Sequence, residues 1–320
     1  MERVRTGVVG VGHFGRYHSQ KYAMLPDSDL VALVDANLGH ARTVAEPLGC
    51  AAYDDPSALI GQVDAVSIAV PTKYHYAVAR PLLEAGIHCL IEKPIAAEID
   101  EARELVAVAE ASSAILQVGH LERFNPSILA LEDVLGTPLF VDSIRISGFQ
   151  PRVTDVNVVL DLMIHDIDLI QHLVGRPLLS VESCGVPVLS ALDDIVNARL
   201  HFDGGCIANV TASRISLKTE RKMRLFQSDC YISIDFVARH ATIARKGSGE
   251  MYPGVPNIEL THRSFDASDA LLVEIRAFLD AVQGKIPVKV TGADGVRALE
   301  TAMKITNSLI RPELTESSAH

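Results

Sequence analysis

Gly10-Val11-Gly12-His13-Phe14-Gly15 is the stretch that decides the fold. A Gly-x-Gly-x-x-Gly repeat alone is a weak signal, but here an apolar strand pattern, Thr6–Val9, runs directly into it and a helical pattern leaves it, to about Met24. In that setting each glycine has a task. Gly10 permits the tight turn, Gly12 lets the backbone approach a pyrophosphate, and Gly15 lets helix and strand pack closely. The helix N-terminus then points its free N–H groups at the phosphates, with His13 and Phe14 at the turn beside them. Asp35 ends the second strand pattern, Leu30–Val34, 20 positions after Gly15. Its carboxylate would accept hydrogen bonds from ribose hydroxyls and repel a 2′-phosphate. Ala36 and Asn37 follow it, and the nearest arginine onward is Arg42. The expected cofactor is NAD rather than NADP.

Outward from this motif, apolar runs alternate with helical ones. Strand patterns at Ala65–Val70, His88–Ile91 and Ile115–Val118 are separated by helical patterns at His75–Ala85 and Asp100–Ala111, with another at Asn37–Leu48. Strands apolar on both faces and alternating with helices predict a doubly wound parallel sheet. The rhythm changes after about His120–Pro126. A helix at Pro126–Val134, a strand at Phe140–Gly148 and one strong helix, Leu160–Val174, lead into strand patterns at Ala198–Phe202, Cys206–Ser213, Lys222–Gln227 and Cys230–Phe236. Asp203-Gly204-Gly205 reads as a hairpin turn. Helices near Asp269–Val282 and Gly292–Leu309 close the chain. The fold class is therefore α/β: an N-terminal Rossmann domain, residues 1–121, followed by an α+β domain, residues 122–320, with an open, mostly antiparallel sheet.

Composition narrows the function. The 320 residues carry a net charge of −11, whereas a nucleic-acid binder needs a basic face to neutralise phosphates. Hydrophobic residues make up 48%, enough for two cores. Cys50, Cys89, Cys184, Cys206 and Cys230 are scattered and odd in number, which predicts free packing thiols in a reducing compartment rather than disulfides or a zinc site. No apolar signal region precedes the first strand and no run reaches membrane-spanning length, so a cytoplasmic protein with no membrane partner is expected.

Two further features carry chemistry. Glu92-Lys93-Pro94 falls at the C-terminal end of a parallel strand, the edge where open α/β sheets bind ligands. A lysine there would be partly desolvated and close to a nicotinamide, which suits it to proton transfer; a surface lysine before a turn proline is the alternative. On the helix Leu160–Val174, Asp161, His165, Asp168 and His172 follow i, i+4, i+7, i+11 spacing and share one face. Asp161 can orient and charge-stabilise His165, as a carboxylate holds a catalytic base. A solvated face is one alternative and a metal site from Asp161, His165 and His172 another; no metal is expected.

With Gly10–Gly15, Asp35, Glu92-Lys93-Pro94 and Asp161-x-x-x-His165 in this order, nearly the whole chain resembles the Gfo/Idh/MocA oxidoreductases. The resemblance implies NAD(P)-dependent oxidation or reduction of sugars, cyclitols or related alcohols, and an open sheet used for assembly, hence a homo-oligomer (dimer or tetramer). An apolar outer face on that sheet would fit such assembly. It implies that Lys93 is the catalytic lysine and Asp161 and His165 the Asp/His pair. It also implies that Val70-Pro71-Thr72 with His75 lines the adenine and ribose side of the cofactor, with Glu92 and Lys93 nearby. The stretch Val118–Pro126 and the run Asp161–Asp168 are similar to the branch that oxidises the 3-hydroxyl of UDP-N-acetylglucosamine on the diamino lipid A route. On that reading His120, Arg123, Asn125 and Arg152, with Lys93 and His165, contact the substrate; interdomain salt bridges and caps are the alternative for the arginines and Asn125. Other reactions open to such a chain are inositol or free-sugar dehydrogenation, NAD-dependent glycoside hydrolysis and, last, non-enzymatic NAD sensing.

Overall fold

The computed structural model describes residues 3–149 and 157–311. They divide into two compact units, one comprising the chain up to Asn125 together with Ser268–Leu299, the other Pro126–Ala267 and the chain from Glu300 on.

In the first unit the predicted alternation is present. Strands β1 (Val4–Val9), β2 (Ser28–Val34), β3 (Ala51–Tyr53), β4 (Ala65–Ile68), β5 (His88–Glu92) and β6 (Leu116–Gly119) form a sheet in the order β3-β2-β1-β4-β5-β6. Every pairing in it is parallel. Helices α1 (His13–Met24), α2 (Leu38–Ala45), α3 (His75–Glu84) and α4 (Ile99–Ser112) make the crossovers. The order reverses between β1 and β4, so the loops leaving these two strands open a crevice at the C-terminal sheet edge. The short β3 escapes a pattern search because its three residues are only half-buried.

Helices α5 (Pro126–Leu129) and α6 (Ile164–Val174) belong to the second unit, whereas α7 (Ala270–Val282) returns to the first. Ile275, Phe278 and Leu279 of α7 are buried in one cluster with Val8, Tyr22, Leu33 and Leu90. This helix thus covers one side of the Rossmann sheet, although some 150 residues separate it from β6. Linear order gives no hint of that return.

The second unit is built on strands β7 (Phe140–Ile146), β8 (Leu178–Val186), β9 (Ile195–Phe202), β10 (Ile207–Ser213), β11 (Glu220–Phe226), β12 (Cys230–Asp235), β13 (His240–Tyr252) and β14 (Val255–Ser264). Helix α8 (Gly292–Asn307) precedes the last strand, β15 (Leu309–Ile310). The strand order is β14-β13-β12-β11-β7-β10-β9-β8-β15, antiparallel except for the pairs β7/β10 and β8/β15. The Asp203-Gly204-Gly205 turn joins β9 to β10 with φ of +81° and +86° at the glycines, the positive values that tight hairpins require. Burial alternates strictly along β7 and β9, and along β10 as far as Ala212. Val141, Ala198, Leu200, Val210 and Leu225 make the buried face, and α6 packs on β7 and β10.

The other face corrects one expectation. It is mixed rather than apolar: Arg224 pairs with Asp142, Lys222 lies between Glu220 and Asp235, and Asn197 donates to Thr211, while Phe140, Phe226 and Tyr231 pack together on it. Exposed apolar side chains are grouped on β13 and β14, at Met251, Tyr252, Val255, Ile258 and Leu260, with Phe226 on β11 and Leu179 on β8 also exposed. Cys184 is likewise exposed on β8 rather than packed. No helix among the described residues is long and apolar enough to cross a membrane.

Candidate active site

The glycine-rich turn behaves as its spacing predicts. Gly10 has φ +84°, and a Cβ there would lie 2.7 Å from a Val70 methyl. A Cβ on Gly15 would sit 1.7 Å from the Gly10 carbonyl oxygen, so only glycine allows α1 to start this close to β1. A Cβ on Gly12 would meet nothing within 4 Å, leaving the open approach a pyrophosphate needs. His13 and Phe14 are exposed beside it, the His13 ring edge-on to Phe14 and Tyr17. Asp35 spans the turn: its Oδ2 accepts from Val11 N at 3.1 Å and its Oδ1 from Asn37 N at 3.0 Å. The carboxylate thereby fixes the loop and stands where β2 ends. His40, unremarked in the sequence, places Nδ1 3.5 Å from the same carboxylate. These residues fit a dinucleotide: an open glycine turn at a helix start, with an anchored acid at the end of the next strand.

After β4, Val70 and Thr72 are half-buried and Pro71 is exposed at the sheet edge, where they can line a cofactor. His75 does something different. Its ring is buried, with Nδ1 2.8 Å from Pro94 O and Nε2 2.9 Å from Val70 O. It ties the loop after β4 to the loop after β5, so it acts on the cofactor edge through backbone placement. Burial pulls its pKa below the ordinary histidine value, against the two carbonyl contacts.

Glu92 closes β5 and Lys93 follows, before a cis bond to Pro94. Glu92 is held on both oxygens. The His18 Nε2 lies 3.0 Å from Oε1, and Lys93 N donates to Oε2 at 3.3 Å. Burial pushes the Glu92 pKa up, but the His18 hydrogen bond and the charges of His18 and Lys93 outweigh it and hold the group ionised below its ordinary value. Behind it, Ser67 Oγ lies 3.0 Å from His18 Nδ1 and 2.8 Å from the Tyr22 hydroxyl. His18, Ser67 and Tyr22 are all fully buried. Glu274, on α7, is also fully buried; neither carboxyl oxygen has a hydrogen-bond partner among the described residues. Burial, then the charge of Glu92, raises its pKa well above the ordinary carboxylate value and favours its protonated form.

Sequence reading missed His18, Ser67, Tyr22 and Glu274. One signal existed: Gly15, His18, Ser19 and Tyr22 form the buried stripe of α1, and polar residues on a core-facing stripe are costly unless partnered.

His120, Arg123 and Asn125 follow β6 on a 3₁₀ turn, Leu121–Phe124. His120 and Arg123 are buried. Arg123 lies 3.6 Å from Asp294, and Asn125 Nδ2 donates to Glu122 at 2.9 Å. Both thus have structural partners inside the first unit. Arg152 lies outside the described residues.

Lys93 belongs to the first unit, Asp161 and His165 to the second. Asn157 Oδ1 caps the second-unit helix by accepting from Leu160 N at 3.0 Å. The expected regular helix opens instead with a π-helical turn, Val159–Met163, before α6 begins at Ile164. Such wide turns recur at functional sites, and this one changes the face-sharing arithmetic. Asp161 and His165 are half-buried, Asp168 is buried and His172 exposed, so the four do not form one uniform stripe. Asp166, next to His165, is clamped by Arg145 Nε at 2.7 Å and Ser143 Oγ at 3.1 Å from β7. That buried clamp fixes the turn carrying His165. Among the described residues, no group of three His, Cys, Asp or Glu side chains is arranged to hold a metal.

Comparison with known proteins adds a direct test. The model of the oxidoreductase family with an NAD-binding Rossmann fold matches residues 4–120, and that of the Gfo/Idh/MocA C-terminal domain matches residues 136–233. UDP-N-acetylglucosamine 3-dehydrogenase of Acidithiobacillus ferrooxidans is 39% identical over 95% of this chain and 97% of its own length. The chain belongs to the Gfo/Idh/MocA family. A solved structure of that Acidithiobacillus enzyme superposes on this family member with a TM-score of 0.91, at 38% identity, over 97% of this chain and 98% of the other. The NAD-dependent scyllo-inositol 2-dehydrogenase of Bacillus subtilis is 25% identical over 96% of this chain and 94% of its own. Levoglucosan dehydrogenase in complex with NADH, at 18% identity and TM-score 0.83 over 96% of this chain and 97% of the other, shares the fold. This Gfo/Idh/MocA protein is an NAD-dependent oxidoreductase acting on a CH–OH group.

Proposed function

We propose that the protein oxidises the 3-hydroxyl of UDP-N-acetylglucosamine to the 3-keto sugar. The observation that carries this reading is the extent of the likeness to the Acidithiobacillus enzyme. At 39% identity it runs through both units, whereas the inositol relative at equal coverage is 25% identical.

NAD, when bound, accepts the carbinol hydride. Gly10, Gly12, Gly15, Asp35 and the Val70-Pro71-Thr72 edge would hold it, with His13 and Phe14 beside the turn and His75 and Glu92 behind. Lys93 and His165 are the candidates to take the hydroxyl proton, and Asp161 orients His165. The surroundings of Lys93 support its part: a parallel-strand end, with an ionised Glu92 holding its backbone. Substrate recognition is assigned to residues 122–320 together with His120, and Arg123, Asn125 and Arg152 are its polar contacts. The reading places the enzyme in the cytoplasm, on a route to a diamino lipid A. The exposed apolar side chains of β13 and β14 favour a homo-oligomer, which gel filtration tests.

The deciding experiment offers UDP-N-acetylglucosamine, free N-acetylglucosamine, glucose and myo-inositol with NAD⁺ and a carbonyl trap, and reads products by mass spectrometry. Loss of two hydrogens from the nucleotide sugar, with the others slower by at least about 100-fold, is expected, because sites built around polar substrate groups discriminate on that scale or better. Turnover of inositol in preference to the nucleotide sugar would refute the proposal.

A further inference from the structure

Strand β7 breaks the pattern of its own sheet at two positions. Val141, Ser143 and Arg145 are its buried residues, and a core-facing row calls for apolar side chains. Val141 alone complies. The two polar residues meet one carboxylate across the core. Arg145 Nε and Nη2 donate to Asp166 Oδ2 and Oδ1 at 2.7 and 3.2 Å, and Ser143 Oγ donates to Oδ1 at 3.1 Å. Arg145 and Asp166 are both buried.

A buried ion pair is poor support for a fold. Taking two charges out of water costs about as much as their attraction returns, and apolar residues of similar volume serve stability as well or better. What apolar contacts lack is direction. The two parallel bonds between a guanidinium and a carboxylate fix an angle, and setting register is the best-attested use of a buried polar pair.

Direction matters in α6. From Met163 to Ile170 every residue but His165 is buried. Consecutive residues on a helix point about 100° apart, so holding Asp166 at one angle also sets the angle at which His165 leaves the helix. The chain entering α6 does not supply that angle. Its last turn, Val159–Met163, is π-helical and winds differently from the helix it feeds.

We infer that Arg145 and Asp166 are positioning residues: their bidentate pair, with Ser143, sets the rotation of α6 and so the direction of His165. The inference rests on the proposed role of His165, but the order it describes is measurable without turnover. The sequence pointed to His165 through its spacing from Asp161; the strand that aims it was marked only by two polar residues in a buried row.

The test compares wild type, the double variant Arg145→Met/Asp166→Leu, Arg145→Lys and His165→Ala. Turnover of UDP-N-acetylglucosamine is counted per NADH-binding site, so that unfolded protein does not enter the rate. The double variant removes both charges at similar volume. Its melting temperature should stay within about 5 °C of wild type and its KM within about threefold, while kcat falls by about 100-fold, the scale on which a small misplacement of a reacting group is felt. Arg145→Lys keeps the charge and loses the fork, so its kcat should lie between the two. A pair that merely held the fold together would change the melting temperature and leave kcat per site at the wild-type value, and that result overturns the inference. If the double variant does not fold, Arg145→Lys decides: a reduced kcat at unchanged KM supports the inference, and a wild-type kcat refutes it. Failure of the functional reading shows separately, as wild type inactive on the nucleotide sugar or His165→Ala as active as wild type. Amide hydrogen exchange then decides for the clamp. Exchange at least about tenfold faster in the variants, confined to residues 158–168, supports it, and unchanged exchange there overturns it.

Discussion

At the scale of single residues, Asp35 does two jobs with one carboxylate. It braces the glycine turn through Val11 and Asn37, and it stands where a ribose 2′-hydroxyl would be read. Asp35→Ser should therefore weaken NAD⁺ binding by about 10- to 100-fold, the scale of one or two charge-assisted hydrogen bonds, while NADP⁺ binding weakens far less. Calorimetry with both cofactors checks this; an unchanged ratio would count against it. Gly10, Gly12, Gly15, Asp35 and Lys93 were all legible in the sequence, because each answers to a local rule about turns, strand ends or spacing. His18 was not legible. Its partners Ser67 and Glu92 lie 49 and 74 positions away, and only the parallel sheet brings them together.

At the scale of elements, local patterns predicted the strands of the first unit well, because buried parallel strands are continuous apolar runs. They served less well for the π-helical turn at Val159–Met163 and for β13 and β14, whose exposed residues break the alternation. The return of α7 to the first unit has no local signature at all. The joint between β7 and α6 rests on the buried Arg145–Asp166 pair. Arg145→Met leaves Asp166 as an unpaired buried charge and should cost roughly 3–5 kcal/mol in denaturant unfolding. Replacing both partners with apolar residues should cost less. A double variant as unstable as the single one would contradict this account of the clamp.

At the scale of the whole molecule, stability should carry the signature of Glu274. Its folded-state pKa is raised, so its contribution is intact below the ordinary carboxylate value and lost as pH rises toward the raised one. Over that window the native protein keeps a proton that the unfolded chain releases. Glu274→Gln removes this dependence. Its melting temperature relative to wild type should climb as pH rises above the ordinary carboxylate value toward the raised one, by a few degrees if the burial cost is roughly 1–3 kcal/mol. A constant difference across that range would show Glu274 to be ionised or hydrated in the native state.

The most direct test of the central claim is NADH formation from NAD⁺ and UDP-N-acetylglucosamine by wild type and Lys93→Met, each first shown to bind NADH. The account predicts NADH and 3-keto sugar from wild type. Lys93→Met should bind cofactor with wild-type affinity and turn over at least about 100-fold more slowly, within the contribution expected of a positioned proton-transfer group. Lys93→Met turning over at the wild-type rate would contradict it.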